Sequence, residues 1–328
     1  MLSRVADSVY WMNRYVERAE NVARFIDVNH NLTLGESDSL SNQWDPLVTT
    51  TGDHAIFAEK YGVATRDNAL RFLAFDEENP NSIVSCVANA RELARTIREV
   101  IPTIVWEQIN KFHFMVRSAA QFSRTLEEPQ EFCDRVRLAS HVLVGATDAT
   151  MSHDEAWHFS RLGRLIERGD KTSRIVDVQY YLLLPNAEDV GSTLDVVRWS
   201  ALLKSTSALV MYRRQHGKIV PEKVADFLIL DRLFPRSIHF CVSKGLESLR
   251  NITGSAHGTF CNTSEQRMGL LCANMDYTSV DDIIRNGLHE YVDRFQKQLN
   301  LVGETIAEDF FTPLRSKQLQ QASQTSIA

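Results

Sequence analysis

The sequence predicts an all-α protein, a helical bundle built as one large domain, and three observations carry that reading. Apolar or small residues at Val5, Val9, Met12, Val16, Ala19, Ala23 and Ile26 step by four and three, drawing one stripe down a long helix. Almost nothing in the chain alternates with the period of two that a half-buried strand needs. Fourteen glycines and eight prolines in 328 residues fall short of the average combined usage of about 12%, so the chain is poor in turn formers and should use few, long elements. With 44% apolar and 24% charged residues, the composition is that of an ordinary folded globular protein.

The elements follow in order. After the first helix, residues 35–53 lapse into Ser, Asp, Thr and Gly and read as a loop. A weaker helical stretch follows over 54–75. The turn at 76–82 ends on Ser82, a ready N-cap, so a helix should start at Ile83 and run to about Ile101. Pro102 interrupts it, because proline lacks the backbone N–H, and helical character resumes to about Phe122. A short helix over 129–145 precedes a long one from about Ser152 to Leu184, stopped by Pro185. Helices over 194–216, closed by Gly217, and over 220–233, 235–252 and 280–311 complete the set. Residues 253–276, rich in Gly, Ser, Thr and Asn, read as a mobile connection. The domain is expected to span 1–311, with a polar, disordered tail over 312–328.

Several function classes are excluded by what the chain lacks. The net charge is −6 and no stretch is dominated by Lys or Arg, so a nucleic-acid footprint is not indicated. No apolar run approaches the roughly 20 residues of a membrane span, and the first residues carry no signal-peptide pattern, which gives a cytoplasmic expectation. The five cysteines form no CxxC pair and are read as reduced, mostly buried thiols. There is no GxSxG, GxxxxGK[ST] or GxGxxG. Cys86 and Cys241 sit among apolar helical neighbours, where a raised thiol pKa would make them inert. His153-Asp154-Glu155-Ala156-Trp157-His158 spaces its histidines five apart where a zincin needs four, and Glu155-x-x-His158 has no second copy for a di-iron bundle. Neither a metal nor another cofactor is expected.

The informative feature is an internal repeat. Shifting the chain by 150 residues lays Arg14, Glu17, Arg18, Arg24, Asp27 and Val28 on Arg164, Glu167, Arg168, Arg174, Asp177 and Val178, with Glu20 on Asp170. The shared pattern is R-x-x-E-R-x-[ED]-x-x-x-R-x-x-D-V, and the apolar stripe repeats as Leu162, Ile166, Gly169, Ser173 and Val176. Two related helices suggest a pseudo-symmetric bundle. Counting by 100° per residue puts Glu17 and Arg18 off the stripe, so in a simple two-layer bundle these charges would be solvated. Glu20 with Arg24, and Asp170 with Arg174, would then be surface i,i+4 pairs worth about 0.2–0.5 kcal/mol each. A ladder of that kind tolerates Lys for Arg, however, whereas a bidentate guanidinium does not. Keeping Arg and Glu in both copies points instead to a fixed geometry, either a buried Glu–Arg clamp between helices or an anion site. Arg91, Arg95 and Arg98 make a further guanidinium row that could join Arg14, Arg18, Arg164 and Arg168 in a basic lining, and Arg232 and Arg236 read similarly.

These residues resemble the bacterial alpha-E family of all-helical proteins with a Glu-Arg motif. The likeness is carried by Met1 to Met12 with Arg14-Tyr15-Val16-Glu17-Arg18-Ala19-Glu20-Asn21, by Asn79-Pro80-Asn81-Ser82-Ile83 and by Ala90-Arg91-Glu92-Leu93-Ala94-Arg95. It continues through Trp157-His158-Phe159, Glu167-Arg168, and Phe234-Pro235-Arg236-Ser237, nearly end to end from Met1 to about Phe311. The resemblance implies a component of a peptide-tagging or amide-ligation system, with a circularly permuted ATP-grasp protein and a transglutaminase-like protein as partners. On that basis the expectation is a non-catalytic accessory module that binds a peptide or carboxylate through its Glu-Arg surface. The alternative is an enzyme of the same pathway in which Glu17 and Glu167 act as acid–base groups and arginines orient an anionic substrate.

Overall fold

The computed structural model describes residues 1–33, 44–121, 127–183 and 193–312. Among these the regular elements are all helical, as the sequence predicts. Of the tail expected over 312–328, all but Thr312 lies outside the described residues. Two long helices, α1 (Ser3–Thr33) and α8 (Glu155–Leu183), pack directly on each other at the centre. Against α1 lie α5 (Ile83–Thr96) and α7 (Pro129–Thr150), with α6 (Thr103–Ala119) spanning the two. Against α8 lie α12 (Ile238–Thr253) and α15 (Leu288–Ile306), spanned in turn by α13 (Thr263–Asp276). Shorter helices fill the periphery: α2 (Trp44–Thr51), α3 (His54–Tyr61), α4 (Arg66–Leu70), α9 (Thr193–Ser205), α10 (Leu209–His216), α11 (Pro221–Ile229) and α14 (Val280–Asn286). Among the described residues no helix is long and apolar enough to cross a membrane.

Local chemistry sets the boundaries. Ser82 and Ser237 cap α5 and α12 by accepting from the N–H of Ser85 and Phe240. The helix from Ile83 already ends at Thr96, short of the expected Ile101, and after a turn over 97–100 Pro102 stands at the N-cap of α6. The anticipated stripes are buried on both central helices. Enclosure goes further than a two-layer bundle allows, because α1 is covered by α5, α7 and α8 together, so residues off the stripe are buried as well.

Several boundaries differ from the sequence reading: the stretch 54–75 divides between Tyr61 and Arg66, the helix expected over 129–145 runs on to Thr150, and that expected over 220–233 ends at Ile229. Residues expected in the 35–53 loop form α2, while 34–43 lie outside the described residues. The stretch 253–276 is no open connection, since it contains α13, capped by Asn262 and anchored by buried Met268, Leu271, Cys272 and Met275. That i, i+3, i+4, i+7 stripe was present in the sequence beneath a polar composition. The run 194–216 breaks at Ser207, which takes a positive φ of 53°. The run 280–311 breaks at Gly287, whose φ of +91° no helix continues, and it closes with a π-helical turn at Ala307–Phe311.

The two central helices approach tightly at Gly163, where an added Cβ would lie 2.3 Å from the carbonyl oxygen of Tyr10. A backbone neighbour cannot swing aside. Gly163→Ala is therefore expected to destabilise the fold by about 1–3 kcal/mol by overpacking, although alanine is intrinsically the better helix former. A chemical-denaturation midpoint that rises in this variant would contradict the close crossing.

Candidate functional site

The crossing of α1 and α8 buries a network of charges. Glu17, Glu20 and Glu167 are 1%, 0% and 0% exposed. The two helices exchange arginines. Arg168 donates to both oxygens of Glu17 from Nε and Nη2, each at 2.8 Å, and Arg18 donates to both oxygens of Glu167 at 2.7 and 3.0 Å. Each is a bidentate fork, the strongest form of carboxylate recognition. Arg14 adds a bond to Glu167 at 2.9 Å, while Arg236 Nη1 and Asn21 each add one to Glu17 at 3.1 Å. With about four acceptor positions on a carboxylate, both glutamates are close to saturated.

The second carboxylate of each helix is held nearby. Glu20 accepts from Arg24 at 2.5 Å and Arg236 at 2.7 Å, and its Oε1 lies 3.0 Å from His141 Nε2 on α7. Asp170 accepts from Arg174 at 3.0 Å and lies 3.2 Å from Lys171. The turns before α5 and α12 complete the network: Asn81 Oδ1 accepts from Arg18 Nη1 at 2.6 Å, and the carbonyl of Pro235 accepts from Arg168 Nη1 at 3.4 Å. A shift of 155 residues lays Pro80-Asn81-Ser82-Ile83 on Pro235-Arg236-Ser237-Ile238. Across this and the 150-residue shift, an amide and a cation trade places, since Asn21 with Arg236 on one side answers Lys171 with Asn81 on the other.

Burial opposes the charged form of these carboxyls, yet the cations outweigh it. Burial is countered at Glu17 chiefly by Arg168, at Glu20 by Arg236 and at Glu167 by Arg18 and Arg14, so all three are held below their ordinary value. Asp170 is lowered in the same way by Lys171 and Arg174. Cations are in surplus, with Lys171 and seven arginines facing Glu17, Glu20, Glu167 and Asp170. Burial, together with repulsion from Arg236, brings Arg24 down to about 10. Burial and Arg168 do the same to Arg164, whose Nε has no hydrogen-bond partner among the described residues.

Arg24 reaches one more group, donating from Nη1 to Ser207 Oγ. Ser207 occupies the left-handed position closing α9, with its own N–H on the carbonyl of Lys204 and the N–H of Ala208 on that of Leu203. Glycine is the usual residue in such a C-terminal motif. A serine there carries about 1 kcal/mol or more of backbone strain, offset by the bond it accepts from Arg24.

The structure therefore gathers Arg14, Glu17, Arg18, Glu20, Arg164, Glu167, Arg168, Asp170, Arg174 and Arg236 at one locus. The reading of a solvated ladder is overturned, because α1 and α8 are enclosed on several sides. Arg91 and Arg95 do not join the locus. Their row lies beside the buried face of α5, where Arg91 meets Asn110 and Glu92, Arg95 meets Glu92, and Arg98 lies 4.5 Å from the Trp106 ring centre. Asn81, His141, Lys171 and Ser207 were not singled out as site residues. Only Asn81 had a signal, in the 155-residue match.

The remaining candidates are structural in character. His153 stacks on Trp157 at 4.0 Å and His158 meets the same ring edge-on. Burial pushes the thiols of Cys86 and Cys241 up to about 12. Among the described residues His239, Cys272 and Asp276 bring potential ligand atoms within 4.8 Å of one another. Arg232 and His239 already sit 2.7 and 2.9 Å from one oxygen of Asp276, so this is an ion-paired seam between α12 and α13.

A wholly helical bundle closed by reciprocal Glu–Arg pairs defines the class. The chain belongs to the Alpha-E family, described as a predicted alpha-helical domain with a conserved ER motif, whose model matches residues 1–311. It is similar to uncharacterized proteins of Mycobacterium bovis and Mycobacterium tuberculosis, 24% identical over 272 residues, and to a second M. tuberculosis protein at 23%. The matches cover 77% of this chain but span only 30% of those relatives' length. No solved structure matches.

Two outcomes are expected. The carboxyls lie below their ordinary values, so the stability they contribute is present above about pH 4.5 and is lost as pH falls through their folded-state values. The stability difference between wild type and Asp170→Asn should thus stay level from pH 7 to about 4.5 and shrink below it; thermal melts across that range check this, and a difference already shrinking at pH 6 would count against it. Lys171→Asn should destabilise, and adding Asn81→Arg should restore part of the loss, with a coupling of about 0.5–3 kcal/mol in a double-mutant cycle.

Proposed function

We propose that the chain is a non-catalytic, accessory helical component of a peptide-tagging or amide-ligation system. On this reading it works with a circularly permuted ATP-grasp ligase-like partner, and a transglutaminase-like protein is a second candidate partner. The partners are those that the family resemblance implies. The Glu–Arg network is the clamp that fixes the bundle, and peptide or partner is met elsewhere on the surface.

One observation carries the non-catalytic reading: Glu17 and Glu167 accept bidentate arginine forks and further bonds while almost wholly buried. A general acid must hold a proton near neutral pH and a general base needs a free lone pair within reach of substrate. Carboxylates held below their ordinary values with their acceptor positions filled offer neither. The length of the relatives supports the accessory role, because there the matching unit is joined to more than twice its own length of other chain.

The test pairs stability with capture. Arg168→Ala should cost about 3–5 kcal/mol, as expected when one partner of a buried ion pair is removed, and Arg168→Lys should cost less. Unchanged melting temperatures would overturn the clamp. Affinity capture of the wild-type chain from its own cells, with mass spectrometry, should return an ATP-grasp-fold protein, and its absence would overturn the partnership.

A further inference from the structure

A cleft of about 930 Å³ opens where α1, α7, α9 and α10 meet, beside the buried network. Val196, Val197 and Val210 line it and are 42%, 49% and 69% exposed. Lys204 and Arg213 line it too, and neither forms an ion pair among the described residues. Arg137 is neutralised by Asp27 at 3.0 Å. Ser207 stands in the lining and connects the cleft to Arg24, one of the arginines in surplus. Since its Oγ accepts from Arg24, its own hydroxyl hydrogen is left to donate into the cleft.

We propose that this cleft binds an extended peptide segment whose carboxylates alternate with branched apolar side chains. The charge is complementary: on a chain of net charge −6, the cleft gathers Lys204 and Arg213, which have no ion-pair partner among the described residues, and a hydroxyl donor, while the lining carboxylate Asp27 is taken up by Arg137 and Arg24 behind them is held by Glu20. Carboxylates lie against Lys204, Arg213 and Ser207, and apolar side chains lie against the three valines, in the pattern of a mostly apolar pocket with a few convergent polar groups. Single-stranded nucleic acid fits less well, because among the described residues the lining holds no aromatic ring on which a base would stack. The carboxylate is supplied by a chain terminus or by acidic side chains, which bind by the same chemistry.

The test is a fluorescence-anisotropy titration of the full chain with a labelled hexapeptide of alternating Val and Glu, as free acid and as C-terminal amide. The variants are Lys204→Glu/Arg213→Glu and, as a control reversal on α14, Arg285→Glu. Saturable binding is expected for wild type and control, weakened at least about tenfold in the double reversal, weakened by salt, and lost on replacing Val with Ser in the peptide. A loss of affinity on amidation assigns the contact to the terminus, and equal affinity of acid and amide assigns it to the side chains. Equal affinity of the double reversal and the control would overturn the proposal, as would binding to vesicles of anionic lipid without binding to the peptide. The inference rests on the accessory reading above, and the two fail separately: captured material lacking an ATP-grasp-fold protein removes that reading, whereas an unaffected double reversal removes the cleft alone.

Discussion

The reciprocal exchange of guanidinium forks between α1 and α8 is the constraint on which the rest of the structure depends. Each helix carries a glutamate that is nearly inaccessible to water and an arginine that reaches the other helix's glutamate. A buried carboxylate without a partner is among the most destabilising features a fold can contain. Neither helix can therefore bury its own charges alone, and the register between them is fixed by the need to satisfy both pairs at once. Gly163 permits the approach that brings the forks within reach.

From that constraint follow the roles of the flanking turns. The turns before α5 and α12 bring Asn81 and Arg236 into the network, and Ser82 and Ser237 in the same turns start the helices that cover α1 and α8. The clamp and the outer layer are thus positioned by the same few residues. Cys86 and Cys241 occupy matching places, each donating from sulfur toward the carbonyl of the proline that opens its turn. Their raised thiol values mark them as packing groups.

The network also constrains chemistry. Its carboxylates are charged and occupied, which suits rigidity better than proton transfer, while its arginines outnumber its acids. The surplus is felt at the edges, at Arg164 and Arg24, and through Ser207 it reaches the one place described above where the buried charges adjoin an open, partly apolar cleft. Core and surface are linked there by a single strained residue, and no local rule predicted its conformation.

The sequence by itself determined the helical class, most helix starts and the identity of the charged residues that matter, because these depend on short-range quantities: periodicity, capping side chains, proline and the spacing of a repeated motif. It showed that Arg14 to Asp27 and Arg164 to Asp177 carry matched charges. Tertiary structure alone decided that those charges are buried, because a helical wheel assumes one wet face and cannot know that α1 is covered on several sides. It also decided that Arg91 and Arg95 face away from the network and that α13 packs where polar composition suggested a connection. Those outcomes depend on which helices become neighbours, and no residue's own propensity encodes that.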